Sequence, residues 1–275
     1  PLNQAETLVM LLAKNQKQSK RIAKLKANRD TLAEKLVKTR ERVQSLKVNN
    51  ADLKNNLRAC IGSGKQGRQG RTSVFTEIFN KELWLSGGSH SGCGSSLRQT
   101  EQLRTQLPRL LRTHGVTSFL DILCGDFNWM QHVDLDGIEY IGADIVQDLI
   151  DANQVFASPE RRFVVCDLVE DELPKAECIM VRDCFSHLTL SDCLKALSNI
   201  HRSGARLLLV THFTDESENA DITTGDFHRL NLCLPPFNLA PPLALLNEGH
   251  PNPRHADKCL GLWPVSALAD VLDSA

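Results

Sequence analysis

At 275 residues the chain can hold one good-sized globular domain plus an extension, and its composition, 41% hydrophobic and 24% charged, is ordinary for such a protein. The net charge of −1 averages two unlike parts: residues 1–60 carry 14 Lys and Arg against 5 Asp and Glu, and the remainder carries 18 against 28. A basic arm joined to an acidic domain points to two jobs in one chain. Nine cysteines with no Cys-x-x-Cys pair argue against a small disulfide scaffold. Cys124, Cys166 and Cys178 stand inside apolar runs and read as buried thiols of a reducing, cytoplasmic compartment. The apolar run Leu8–Ala13 is far shorter than the roughly 20 residues of a bilayer span and has no signal-cleavage pattern, so no membrane span is expected. The chain opens on Pro1 rather than Met, which is compatible with a natural start upstream.

From Glu6 to Ile61 there is no Pro and no Gly, and strong helix formers dominate. One heptad register runs through the segment, with Leu8, Asn15, Ile22, Arg29, Leu36, Val43, Asn50 and Leu57 at a. Leu11, Gln18, Leu25, Leu32, Thr39, Leu46 and Leu53 fall at d. A sustained seven-residue period specifies a left-handed coiled coil, and Asn at a favours a parallel homodimer through residues 8–57. The alternative is a single charged helix, for which Gln18, Arg29 and Thr39 in the seam speak. The lysines are spread around the helix, which does not favour nucleic acid or lipid as a partner. Residues 1–61 thus read as a coiled-coil helix and the Gly-rich basic stretch 62–72 as a flexible linker. Residues 73–275 read as the globular domain.

In that domain the loop Ser86–Ser96, with four Gly and five Ser, follows Trp84 and reads as a lid or as a disordered connection. A helix is predicted over Leu97–Leu107, stopped by Pro108. Apolar runs at Val116–Cys124, Glu139–Ala143, Phe163–Cys166, Cys178–Val181 and Ala205–Thr211 alternate with helical stretches, notably Gln147–Val155 and Ser191–Arg202. That alternation predicts an α/β fold with a parallel sheet covered on both faces, whose ligands bind at the carboxyl ends of the strands. The Pro- and Asn-rich segment Asp221–Asn247 is expected to be non-helical and to build an acceptor wall.

The strand ends carry the chemistry. The first ends in Asp121-Ile122-Leu123-Cys124-Gly125-Asp126-Phe127-Asn128, where Gly125 lets the backbone approach a ligand. Asp144 follows 19 residues after Gly125, placed to accept from the ribose hydroxyls of a nucleoside. Asp167 ends the third run, placed for an adenine amine, and Arg182-Asp183 ends the fourth, beside the reacting group. A nicotinamide or flavin dinucleotide would need a Gly-x-Gly-x-x-Gly turn, which is absent.

Asp121, Gly125, Asp144, Asp167 and Asp183 in this order resemble the motif series of class I S-adenosylmethionine-dependent methyltransferases. That family's first loop follows an acidic-x-Gly-x-Gly-x-Gly pattern; here Leu123 and Phe127 stand at its outer positions. Residues 121–130, 140–146, 182–188 and the Trp84–Thr100 loop resemble more closely an uncharacterised subgroup sometimes found beside glycan-modifying enzymes. So do Gly225-Asp226-Phe227, Asn247-Glu248 and Asp257–Trp263. The subgroup usually has Glu where Gly88 stands.

The resemblance implies a doubly wound Rossmann-like methyltransferase sheet and S-adenosyl-L-methionine as cofactor. It implies cofactor contacts from Asp121, Leu123, Cys124, Gly125, Asp126, Phe127, Asn128, Asp144, Ile145, Asp167, Leu168 and Arg182. The reaction it implies is O-methylation of a small polar or glycan acceptor. His187, with an unperturbed pKa near 6.5, is the candidate general base and Asp183 its partner; a capping or packing role for His187 is the alternative. No metal is expected. The competing function is an inactive cofactor-fold scaffold dimerised by its arm.

Overall fold

A computed structural model describes residues 4–61 and 67–272, and the chain divides into two compact units, residues 1–60 and 61–275. In the first unit α1 (Gln4–Ile61) is one helix of 58 residues, as the absence of helix breakers predicts. Its seam residues Ile22, Leu25, Leu32, Leu36 and Val43 are 46–67% exposed. The seam side chains of Leu8, Leu11, Leu46, Asn50, Leu53 and Leu57 lie outside the described residues.

The second unit is built on a seven-stranded sheet: β1 (Ser118–Ile122), β2 (Glu139–Asp144), β3 (Arg161–Val165), β4 (Cys178–Val181), β5 (Leu207–Phe213), β6 (Ala244–Asn247) and β7 (Lys258–Pro264). Their order is β3-β2-β1-β4-β5-β7-β6. Strands β1 to β5 pair in parallel, and β7 runs antiparallel between β5 and β6. Every residue of β4 and β5 is buried although neighbours along a strand point to opposite faces, so both faces are covered. This is a doubly wound, Rossmann-like α/β sheet. The chain winds outward in opposite directions from β1 and β4, and the crevice at their carboxyl ends is where such a sheet takes its ligand.

The remaining helices are α2 (Arg68–Asn80), α3 (Glu101–Thr113), α4 (Gln147–Asn153), α5 (Leu190–Ser203) and the short α6 (Ala269–Leu272). In α5 the Thr189 hydroxyl accepts from the Asp192 amide and caps the helix, and Gly204 closes it in the left-handed conformation.

Two expectations are corrected. Pro108 does not stop α3 but lies inside it. Its missing N–H costs one backbone bond, outweighed by a stripe of Leu103, Leu107 and Leu111 that is almost wholly buried. The stretch 62–72 is not all linker, because residues 68–71 form the first turn of α2, while residues 62–66 lie outside the described ones. Arg68 and Arg71 look like solvated charges in the sequence, but Arg68 pairs with Asp171 and buried Arg71 with Asp167, Glu170 and Asp192. Among the described residues no helix is long and apolar enough to cross a membrane.

Candidate functional site

Two clefts meet at the carboxyl ends of β1, β2 and β4. The first, about 800 Å³ counting space open to solvent, is lined by Asp121, Leu123, Cys124 and Gly125 from β1 and its loop, and by Asp144 from β2. Arg182, Asp183 and His187 reach it from beyond β4, and Phe75 and Ile78 of α2 close it over.

The β1 loop explains the altered glycine pattern. Leu123, Gly125 and Phe127 have φ of +66°, +59° and +55°, so the backbone keeps a left-handed course at all three positions although only one is glycine. Such a conformation costs a bulky residue about 1–2 kcal/mol and persists only where its surroundings enforce it. For Phe127 the surroundings are plain: its buried ring meets those of Tyr140, Phe156 and Phe163 at 5.0–5.3 Å. Leu123 instead contributes to the cleft wall. Gly125 is held by a close approach, since a Cβ there would lie 2.0 Å from the Ser91 Oγ.

The carboxylates of this cleft are buried and hydrogen-bonded. Asp144 accepts from the amides of Gly125 (3.2 Å) and Val146 (3.0 Å). Burial raises its pKa to about 6 against the pull of those amides. Asp121 accepts from the Tyr140 hydroxyl at 2.9 Å, and burial raises it to about 7.

Not every expected residue lines the first cleft. Asp126 and Asn128 are not among its lining residues and instead hold the Ser86–Ser96 loop. The Asp126 carboxylate accepts from Ser89 Oγ, the His90 amide and Ser91 Oγ, and Asn128 donates to the Ser95 carbonyl at 2.9 Å. Ile145, Asp167 and Leu168 line a smaller neighbouring cleft with Arg71 and Phe75. There the Asp167 carboxylate is engaged by Arg71 at 2.8 Å and by the Val169 amide at 2.9 Å. Gly88, at φ +84°, has nothing within 4 Å of where a side chain would begin, and it lines neither main cleft.

The second cleft, about 840 Å³, shares Trp84, Ser91, Asp183 and His187 with the first. Its remaining walls come from the loop residues Ser86 and Gly92–Gly94, from Phe213 at the end of β5, and from Phe227, His250, His255 and Lys258. Lys258 on this wall, and Glu248 behind it, were not singled out by the sequence reading. Lys258 Nζ lies 2.6 Å from Asp183 Oδ2 and 3.2 Å from Glu248 Oε2. Arg182 donates to Glu248 and to the Gly94 carbonyl, and its guanidinium stands 5.3 Å from the Trp129 ring centre. The only sequence signal for this cluster was the match at Asn247-Glu248 and Asp257–Trp263. Burial works against ionising Asp183, but Lys258 and Arg182 beside it prevail and hold its carboxyl well below the usual carboxylate range. Asp183 itself has φ +57° and donates its amide to Thr211 Oγ1 at 2.8 Å.

His187 lies in a single turn of 3-10 helix after β4. Its Nδ1 is 2.7 Å from the Asp226 carbonyl. A carbonyl can only accept, so Nδ1 carries the proton and Nε2 keeps its lone pair. Burial lowers the His187 pKa, opposed by the Asp226 bond and by Asp183, so the ring is neutral at pH 7. Among the described residues no group of three His, Cys, Asp or Glu side chains is disposed to hold a metal ion.

No family model and no curated protein matches the chain. Among solved structures the chain is similar to human N-acetylserotonin methyltransferase in complex with S-adenosylmethionine, at 14% identity over 71% of this chain and 56% of that one, with TM-score 0.45. It thus spans little more than half the length of the human enzyme. It is similar to magnesium protoporphyrin IX methyltransferase from Synechocystis PCC 6803 with bound S-adenosylhomocysteine, at 12% identity over 72% and 97%, TM-score 0.47. It is also similar to the N-methyltransferase NodS from Bradyrhizobium japonicum WM9 with bound S-adenosylhomocysteine, at 17% identity over 50% and 71%, TM-score 0.41. At these identities the likeness is one of fold.

Proposed function

We propose that the globular domain, from α2 at residue 68 onward, forms an S-adenosylmethionine-dependent O-methyltransferase acting on a hydroxyl of a small polar acceptor, a glycan being the acceptor that the sequence resemblance implies. The observation that carries this reading is the shared wall. Two clefts open at the switch point of a methyltransferase sheet, and His187 and Asp183 stand between them.

S-adenosylmethionine fits the residues of the first cleft. Two carboxylates with no cation paired to them among the described residues, Asp121 and Asp144, suit a nucleoside bearing ribose hydroxyls and a positive sulfonium. The nearest guanidinium, Arg182, is committed to Glu248, so no unpaired cation is offered to a pyrophosphate. The His90 Nδ1, buried at the rim without a protein partner, is a further polar contact for such a ligand. When bound, the sulfonium supplies an electrophilic methyl group.

This chain's own residues do the rest. Asp144 holds the ribose, Asp183 orients the acceptor hydroxyl, and His187 Nε2 takes its proton. The smaller cleft at Ile145, Asp167 and Leu168 serves the adenine end, with Arg71 fixing the Asp167 carboxylate. The buried thiols of Cys124, Cys178, Cys184 and Cys193 fit a reducing, cytoplasmic setting.

Calorimetry with S-adenosylmethionine and S-adenosylhomocysteine tests the reading. Binding of both in the micromolar range is expected. Folded protein that binds neither at high micromolar concentration would instead be the scaffold.

We also infer that the arm pairs with a second copy. Five aliphatic seam residues of α1, from Ile22 to Val43, stand exposed in the single chain, and a two-stranded coiled coil would bury them. Sedimentation of the chain with and without residues 1–60 checks this. A dimer that becomes a monomer on truncation is expected, and a full-length monomer refutes it.

A further inference from the structure

The second cleft has a chemical character of its own. Its rings form a continuous series. Trp84 meets His187 at 4.4 Å, His187 meets Phe227 at 5.6 Å, and Phe227 meets His255 at 5.9 Å. His255 in turn meets Phe213 at 6.0 Å and His250 at 5.0 Å. Six rings thus stand around one space, and Phe227 is 48% exposed toward its mouth. Large aromatic surfaces left open on a folded domain mark a place where a ligand completes the packing.

The charges of this cleft are already satisfied. Its one carboxylate, Asp183, and its one ammonium, Lys258, pair with each other at 2.6 Å. An anionic acceptor finds no unpaired cation there, and a cationic one finds no unpaired carboxylate. The cleft suits an uncharged ligand.

Hydrogen-bonding capacity is also small. Of the two side-chain hydroxyls on the walls, Ser91 Oγ is bound to Asp126, which leaves Ser86, the imidazole nitrogens, the Cys93 thiol and the backbone of Gly92–Gly94. A sugar would bring several hydroxyls into this space, each needing a partner once buried. A flat arene brings one.

Resting on the methyltransferase reading above, we propose that the second cleft takes an uncharged hydroxyarene, a flat ring stacked against Phe227 and Trp84 with its hydroxyl at His187 Nε2 and Asp183. This narrows the acceptor away from glycans. In the transfer the arene oxygen forms a bond to the sulfonium methyl carbon as the carbon–sulfur bond breaks. The electron pair of that bond stays on sulfur, leaving a neutral thioether, and the hydroxyl proton goes to His187 Nε2 and then to water. A phenolic hydroxyl, with a pKa near 10, suits this base. Burial lowers the basicity of His187, and an alkyl hydroxyl is a far weaker acid.

The test uses the full chain with S-adenosylhomocysteine bound, and reads both tryptophan fluorescence and ligand-observed NMR. The probes are 2-naphthol, catechol and 5-hydroxyindole against methyl β-glucopyranoside, 4-hydroxybenzoate and tyramine. At least one hydroxyarene should bind tenfold or more tightly than the glycoside and the two charged phenols. The same compound should accept radiolabelled methyl from S-adenosylmethionine. Phe227→Ala should weaken its binding roughly tenfold with S-adenosylhomocysteine affinity unchanged. Tighter binding of the glycoside or of a charged probe overturns the proposal, as does protein that binds S-adenosylhomocysteine but none of the three hydroxyarenes. Protein that binds no S-adenosyl compound overturns the underlying methyltransferase reading instead.

Discussion

The two clefts share a wall but hold their polar groups by opposite means. In the first, Asp144 and Asp121 are fixed by backbone amides and a tyrosine hydroxyl, with no cation paired to Asp144. In the second, Asp183 is locked to Lys258, and six rings stand among the lining residues. A carboxylate held by amides keeps lone pairs for ribose hydroxyls and keeps its negative charge for a sulfonium. A carboxylate neutralised by lysine offers direction without net charge. Under the proposed function, the first cleft would bind the charged nucleoside and the second would align a neutral acceptor. The boundary between these tasks runs through His187.

The sharpest way to break this division is His187→Gln. Removing the proton acceptor should lower kcat by about 10²–10⁴-fold, while S-adenosylhomocysteine affinity measured by calorimetry stays within about twofold. A parallel loss of affinity would place His187 in the first cleft's binding machinery. The pH profile gives a second readout. Because burial lowers the His187 pKa below its usual 6.5, activity should be full above pH 6.5 and decline only in more acidic solution.

Next in size is Arg71→Met. Arg71 is 4% exposed and serves Asp167, Glu170 and Asp192. Its loss leaves the Asp167 carboxylate buried and unpaired, at a cost of about 3–5 kcal/mol in urea unfolding. Asp144→Ala removes no cation from its partners and should leave stability less affected. It should weaken S-adenosylmethionine binding by about 10²-fold, the loss of two charge-assisted contacts. Affinity retained in that variant would remove Asp144 from the ribose site.

The first cleft was far more legible in sequence than the second, and the reason is topological. Strand ends of a parallel sheet converge, so Asp121, Gly125, Asp144 and Asp183 could be placed from apolar runs alone. The second cleft draws Phe227 and His250 from irregular chain between β5 and β7, and His255 from a single 3-10 turn there, where no period ties a residue to a face. Lys258 begins a strand that runs antiparallel to β5, which the alternation of strands and helices gives no reason to expect. Charge misled in two places. Arg68 and Arg71 looked like linker residues because composition cannot show the carboxylates waiting across the fold. Asp126 and Asn128 looked like ligand contacts because their loop is right, yet their side chains staple the Ser86–Ser96 loop.

The smallest effect distinguishes the clefts by titration. Asp121 faces the first cleft with a pKa raised by burial from 3.8 to about 7, whereas Asp183 at the shared wall stays ionised throughout the neutral range. A raised carboxyl pKa means the fold prefers the neutral acid. Its contribution to stability is complete below about pH 4 and is lost as pH rises through about 7. Asp121→Asn keeps the shape and still accepts from the Tyr140 hydroxyl, but it cannot ionise. Its stability relative to the parent protein should therefore be near equal at pH 4 and should rise steadily to pH 8, as urea titrations at several pH values would record. A gap that stays constant across that range would mean Asp121 is ionised in the folded domain at every pH, sharing the fixed charge of Asp183. The first cleft would then carry its negative charge permanently rather than acquiring it near neutrality.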